Sequence, residues 1–215
     1  MVPKVESMSD VQRALKALDA VGAREVPLHI LVESAHAVSQ VLALASEPRV
    51  QSISFGVMDF VSSHNGAIGA WAMGYPGQFT HPLVRRAKLE ISAACHAFGK
   101  VPSHCVITEF GDAKVIESAA KMAASELGYT RMWSIHPNQI RPILAAFQPD
   151  ASEIAQAVEV IEAAAKAQWG PVSVQGRLHD RASFRYFWQL LTRAHATGVA
   201  LPAQLAHWCA APALS

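Results

Sequence analysis

The run VQSISFGVMDF, residues 50–60, decides how this chain is read. Its first half is apolar and β-rich, the pattern of a strand buried on both faces. It closes on FGVMDF, 55–60, which puts a carboxylate, Asp59, at the far end of the strand. A charge in that position costs free energy unless something pairs with it. The partner of Asp59 is therefore the question to settle.

Working outward, short apolar runs alternate with amphipathic stretches. Further strands are predicted over VPKVES (2–7), VPLHILVES (26–34), VPSHCVITEF (101–110) and RMWSIHP (131–137). Helices are predicted over 9–21, 35–46, 80–98 and 112–128, where apolar residues recur at three- and four-residue spacing. Ser9 and Asp112 suit helix N-caps, and Gly22, Gly99 and Gly128 suit C-terminal stops. Such a β-α-β-α series implies about five parallel strands in one sheet, with helices outside and no second sheet. Beyond residue 137 the pattern becomes helical, over NQIRPILAAF, 151–168 and 180–198, with WGPVSVQGRLHD (169–180) as a connector. The expected division is an α/β domain over 1–150 and a helical extension over 151–215.

Composition narrows the function. Half of the 215 residues are hydrophobic and 16% are charged, enough for a substantial core. The net charge is +1, with no basic stripe interleaved with aromatics, so no nucleic-acid partner is expected. Cys95, Cys105 and Cys209 are widely spaced and odd in number, which fits buried thiols in a reducing compartment. No apolar leader or membrane-length run occurs, and a cytoplasmic, membrane-free protein is expected.

The polar residues have their own pattern. Glu6, Glu33, Asp59, Glu109 and His136 each fall at or near the C-terminal end of a separate predicted strand. In parallel α/β folds that rim is where ligands bind. Glu33 and Asp59 are one β-α-β step apart, so on neighbouring strands their ends lie about 5 Å apart. Converging carboxylates either share a proton or bind a hard cation such as Mg²⁺. The competing structural reading has Glu33 capping the helix after it and Asp59 bonding loop amides. For Lys4 and Glu6 a solvated and a substrate-facing role are both open, and His136 before Pro137 reads as structural. The glycine-rich stretch 63–77 lacks a nucleotide-loop order and has the length of an active-site flap. The aromatic run FRYFW (184–188) reads as helix packing.

The ordered set PKVES, VESAHAV, FGVMDF, WSIHPNQI with FQPD, and VQGRLHD resembles the citrate lyase β-subunit family, within the HpcH/HpaI aldolase and malyl-CoA lyase group. The resemblance implies a TIM-barrel type fold that is incomplete here, its strands corresponding to the fourth to eighth of a (β/α)8 barrel. It implies Mg²⁺ (or Mn²⁺) held by Glu33 and Asp59, and Glu6 as a substrate-binding candidate. It further implies a carbon–carbon lyase cleaving a short 3-hydroxyacyl-CoA into an acyl-CoA and a 2-oxo acid. The VQGRLHD match makes Asp180 a candidate catalytic acid on a lid that reaches a neighbouring subunit's site, in a trimer or hexamer. Alternatives are an aldolase giving pyruvate and an aldehyde, and a truncated paralogue without turnover. The family's substrate-contacting arginine has no counterpart in this sequence, which supports the last alternative. A barrel remnant would also expose strand edges that a partner chain must cover.

Overall fold

The computed structural model describes residues 1–210. The chain divides into two compact units, one spanning Met1–Phe147 and a second that begins at Gln148.

In the first unit four strands, β1 (Leu28–Val32), β2 (Val50–Phe55), β3 (Val101–His104) and β4 (Arg131–Met132), form one sheet in chain order. Every pairing is parallel. Parallel neighbours require crossovers, and the sequence supplies helices for each. α1 (Met8–Ala20) precedes β1, while α2 (Ala35–Ser39) and α3 (Val41–Ser46) link β1 to β2. α4 (Val57–Ser62), a 3-10 turn (Ala70–Met73), α5 (Gly77–Thr80) and α6 (Pro82–Ala97) lie between β2 and β3. α7 (Ala113–Ser125) leads to β4, and α8 (Pro137–Phe147) ends the unit. Ile30, Val32, Ile53 and Phe55 on the strands pack with Val38, Leu44, Val84 and Ile91 on the helices to form the main core.

Three expectations for this unit need correction. The predicted first strand, 2–7, reduces to an isolated parallel bridge between Val2 and Ile30, so the sheet has four strands rather than about five. The reason lies at Lys4, whose left-handed backbone (φ 50°) breaks the ladder between Val2 and Val5. Asp59 is also not at a strand end. The strand stops at Phe55, Gly56 is the N-cap, and Asp59 stands in the first turn of α4. At the first helix the cap is Ser7, not Ser9, while Asp112 caps α7 as expected.

The second unit contains α9 (Ala151–Lys166), β5 (Val172–Val174), β6 (Arg177–His179), α10 (Arg181–Ala196) and α11 (Ala203–Ala210). β5 and β6 make an antiparallel hairpin where only a connector was expected, so a second sheet exists. Its turn is Gln175–Gly176 with φ of 50° and 74°, a two-residue turn whose twist suits a hairpin. Phe184, Phe187 and Leu191 of α10 pack on Val160 and Ile161 of α9, so FRYFW does serve helix packing.

One buried group stands out. Lys88 of α6 is fully enclosed, its Nζ donating to Gln78 Oε1 at 2.7 Å and lying 4.1 Å from the centre of the Phe79 ring. Burial lowers its pKa from 10.5 to about 8. Between those values the unfolded chain binds a proton that the folded chain does not, so rising pH relieves a cost borne in full below pH 8. Lys88→Met is accordingly expected to stabilise the chain at pH 7 by about 1–3 kcal/mol. Thermal unfolding of both proteins should show that advantage shrinking as the pH rises from 8 towards 10.5.

Candidate metal centre

The site starts with the break in the N-terminal extended segment. Val2 exchanges backbone hydrogen bonds with β1, its N–H going to His29 O (2.8 Å) and its carbonyl accepting from Leu31 N (3.0 Å). Val5 N–H rejoins at Leu31 O (3.3 Å). Between them Lys4 turns out of register, and its N–H donates to Glu33 Oε2 at 2.8 Å. Its ammonium reaches the other way, to Asp59 Oδ1 at 2.7 Å. The partner of Asp59 in the structure is Lys4. A strained backbone held by contacts to two acids is the kind of outlier that accumulates at functional sites.

Glu33 follows β1 directly and is 8% exposed. Lys4 bonds both acids, Glu33 through its N–H and Asp59 through its ammonium, and the Asp59 charge is felt at Glu33. Burial, and then the negative charge of Asp59, raise the Glu33 pKa against the pull of the Lys4 N–H and ammonium. Gly56 makes room for the Glu33 side chain. A Cβ there would stand 2.5 Å from Glu33 Cγ and 2.6 Å from Oε1.

The structural alternatives for the pair are not seen. Ser34, not Glu33, caps α2, its Oγ accepting from Ala37 N at 3.0 Å. Asp59 bonds an ammonium rather than loop amides through its side chain. Glu6 lies next to this arrangement and accepts from Ser34 Oγ at 2.6 Å, which fixes it to the start of α2. It does not pair with Lys4. Asp180 belongs to the second unit, where it caps α10 by accepting from Ala182 N (2.9 Å) and Ser183 N (3.4 Å).

The donor set suits a hard divalent cation. It offers carboxylate oxygens only, and Mg²⁺ is commonly bound by one or two carboxylates with water completing its shell. The raised pKa of Glu33 marks negative charge crowded into a partly dry place, which a cation would relieve. Lys4 compensates only from the solvent side, since its side chain is 69% exposed and a screened pair of this kind is weak. Among the described residues no third His, Cys, Asp or Glu completes a larger metal cluster.

Comparison with known proteins identifies the family. Residues 1–137 match the HpcH/HpaI aldolase/citrate lyase family. The chain belongs to that family. An L-malyl-CoA/beta-methylmalyl-CoA lyase of Rhodobacter capsulatus is 31% identical over 204 residues, covering 86% of this chain and 63% of the relative. The chain thus spans less than two thirds of that relative's length. A crystal structure of a citrate lyase from Burkholderia xenovorans LB400 is 53% identical, with a TM-score of 0.84 over 95% of this chain and 65% of the other. Protein CitE of Mycobacterium tuberculosis, in complex with magnesium, acetoacetate and coenzyme A, has a similar fold, with a TM-score of 0.68 at 20% identity over 90% of this chain and 76% of that one.

Sequence reasoning missed several buried polar groups of the sheet. On the same face of β1 as Glu33, His29 accepts at Nδ1 from Ser52 Oγ (2.7 Å) and Arg131 Nη2 (3.3 Å), so Nε2 donates to Ser54 Oγ (2.9 Å). Burial, with the Arg131 charge, lowers its pKa to about 4 and keeps it neutral. Gln139 is fully buried and ties Ile107 O and Glu109 O to Ile135 N. No local spacing announces contacts such as His29 with Ser52, 23 positions apart, or Gln139 with Ile107, 32 apart. The exception is Gly56, because a glycine between a strand and an acid-bearing helix signals close approach.

Gly56→Ala is expected to displace the Glu33 carboxyl and destabilise the chain by about 1–3 kcal/mol. Gly111→Ala, where an added Cβ meets nothing within 4 Å, serves as the control in thermal unfolding. Equal melting temperatures for the two variants would count against the cradle.

Proposed function

We propose that this protein is a Mg²⁺-dependent carbon–carbon lyase that cleaves a short 3-hydroxyacyl-CoA into an acyl-CoA and a 2-oxo acid. The observation that carries the reading is that Lys4 links Glu33, bonded by its N–H, and Asp59, bonded by its ammonium, beside the β-α steps that follow β1 and β2. Support comes from the relatives, which are lyases of malyl-CoA and beta-methylmalyl-CoA and a CitE protein complexed with magnesium and coenzyme A.

The chemistry divides among the chain's residues as follows. Glu33 and Asp59 would hold the ion, which when bound would supply a Lewis acid for the oxygen of the oxo-acid half. Gly56 leaves room for Glu33, and Lys4 ties the two acids together through its N–H and its ammonium. In the cleavage the bond between the carbon bearing the hydroxyl and the carbon next to the thioester breaks. The hydroxyl gives up its proton to solvent water as it becomes the carbonyl, and the other half leaves as an enolate that must regain a proton. Asp180, presented by a neighbouring copy, is the proposed source of that proton. Glu6 faces the substrate from the start of α2. Mn²⁺ meets the same oxygen ligands and serves as a substitute.

A second reading, binding without turnover, draws on the absence of a third acidic or imidazole ligand among the described residues. A site of two carboxylates and water is ordinary for Mg²⁺, so the lyase reading is preferred.

Two measurements test the proposal. Asp59→Asn is expected to abolish Mg²⁺ binding in calorimetry and to lower Mg²⁺-dependent cleavage of malyl- and citramalyl-CoA at least a hundredfold. For the unaltered chain, Mg²⁺ affinity should fall as the pH drops through the raised pKa of Glu33, because the proton competes with the ion. Equal cleavage by wild type and Asp59→Asn would remove the metal assignment; Mg²⁺ binding without cleavage in wild type would favour the second reading.

Asp180 needs a test that separates capping from proton transfer. Asparagine caps a helix about as well as aspartate but donates no acidic proton. Asp180→Asn should therefore keep the melting temperature within about 1 °C while turnover falls roughly a hundredfold or more. Loss of stability with full turnover would leave Asp180 as a cap alone.

A further inference from the structure

The second unit carries a groove that neither the metal centre nor the lyase chemistry uses. α9 ends at Lys166, and the two residues after its cap, Gln168 and Trp169, both take left-handed backbone, with φ of 52° and 64°. Glycine enters that conformation freely after a helix, whereas a side chain as large as tryptophan does so at a cost. What the turn achieves is the placement of the Trp169 indole. Its ring meets Phe184 and Trp188 of α10 and Trp208 of α11, with centroids 6.3, 6.4 and 6.3 Å away. Trp169 is still 45% exposed, so these contacts leave much of its surface open. Trp169, Phe184 and Trp188 wall a groove of about 440 Å³, whose other lining residues are Arg181 and Arg185. Arg181, Phe184, Arg185 and Trp188 stand at helical spacing, so α10 presents all four on one side. The two charges are uncommitted. Among the described residues neither guanidinium makes a hydrogen bond or an ion pair. Asp180, the adjacent acid, gives its carboxylate to the N–H groups of Ala182 and Ser183.

We infer that this groove binds an amphipathic carboxylate, a small molecule with a flat apolar body and an acidic head. The inference concerns the second unit alone and does not rest on the lyase reading. Charge complementarity sets the head. Two guanidiniums one helical turn apart, facing no free acid, repel cations and receive a carboxylate through paired N–H donors. The walls set the body, because indole and phenyl faces take a flat ring by stacking. Size favours a small molecule over a protein. A stable protein interface removes more than about 1,000 Å² from water. The other exposed large apolar side chains of the hairpin and α10, Leu178 and Tyr186, line a separate cleft with His179. The apolar surface is therefore confined to the groove, and its volume is usual for a small-molecule site.

The test is titration of the full chain with 2-naphthoate, followed by calorimetry and by tryptophan emission. Three of the chain's five tryptophans lie in this cluster, so emission reports on it. Saturable binding with a Kd below about 1 mM is expected. Acetate, which lacks the body, and 2-naphthamide, which lacks the charge, should each bind about tenfold more weakly or worse. Arg181→Gln combined with Arg185→Gln should weaken 2-naphthoate about tenfold or more and leave 2-naphthamide unchanged, with circular dichroism checking that the variant is folded. Arg193→Gln, on the same helix but outside the groove, should change neither. No saturable binding by wild type, equal binding by the double variant, or an equal loss in Arg193→Gln overturns the inference. Sedimentation supplies the remaining outcome. If the double variant dissociates an oligomer that wild type forms, a second copy of the chain occupies the groove and the small-ligand site is wrong.

Discussion

The organisation of the first unit depends on two like charges being held together. Glu33 and Asp59 come from consecutive β-α steps, and their approach is unfavourable in a partly dry place. Three features make it tolerable. Gly56 leaves room for the Glu33 side chain, Lys4 supplies positive charge from the solvent side, and the left-handed turn at Lys4 aims its N–H at Glu33. Each has a cost of its own, in backbone freedom, in screening or in strain. Such concentrated local cost is what distinguishes a ligand-ready site from a packed core.

That arrangement also explains why the strand before α1 is so poorly formed. A regular ladder from Val2 to Val5 would give the Lys4 N–H to β1 or to solvent and leave Glu33 without its donor. The bridge at Val2 and the return at Val5 keep the segment attached, and the residues between are given over to the acids. Regular pairing and site geometry compete for the same backbone groups, and here the site prevails.

Sequence alone gave access to much of this. Alternating apolar runs and amphipathic stretches located β1 to β4, and the caps at Asp112 and the stops at Gly22, Gly99 and Gly128 are present, the glycines all at positive φ. The acids at Glu33 and Asp59 were visible because a charge beside a buried strand is conspicuous. Asp59 was misplaced by one element, because VMDF reads equally well as the end of a strand or the first turn of a helix, and only the break at Gly56 decides. The hairpin at β5 and β6 was hidden in a short stretch, where Gln175–Gly176 is a weaker turn signal than Asn-Gly. The bonding of Lys4, Gln78 and Glu109 was beyond reach for a different reason. Their partners are set by the tertiary fold, and no periodicity encodes a contact from Lys4 to Asp59 or from Tyr75 to Glu109.

Gln139 carries a consequence for how the rim comes into being. Its side-chain amide is buried in α8, the last helix of the unit, yet it secures the backbone at Ile107, Glu109 and Ile135. A ribosome delivers Glu33 and Asp59 long before it delivers Gln139. The cation-ready half of the rim is thus available to a growing polypeptide early, whereas the half around Glu109 acquires its final shape only once translation has passed the unit's closing helix.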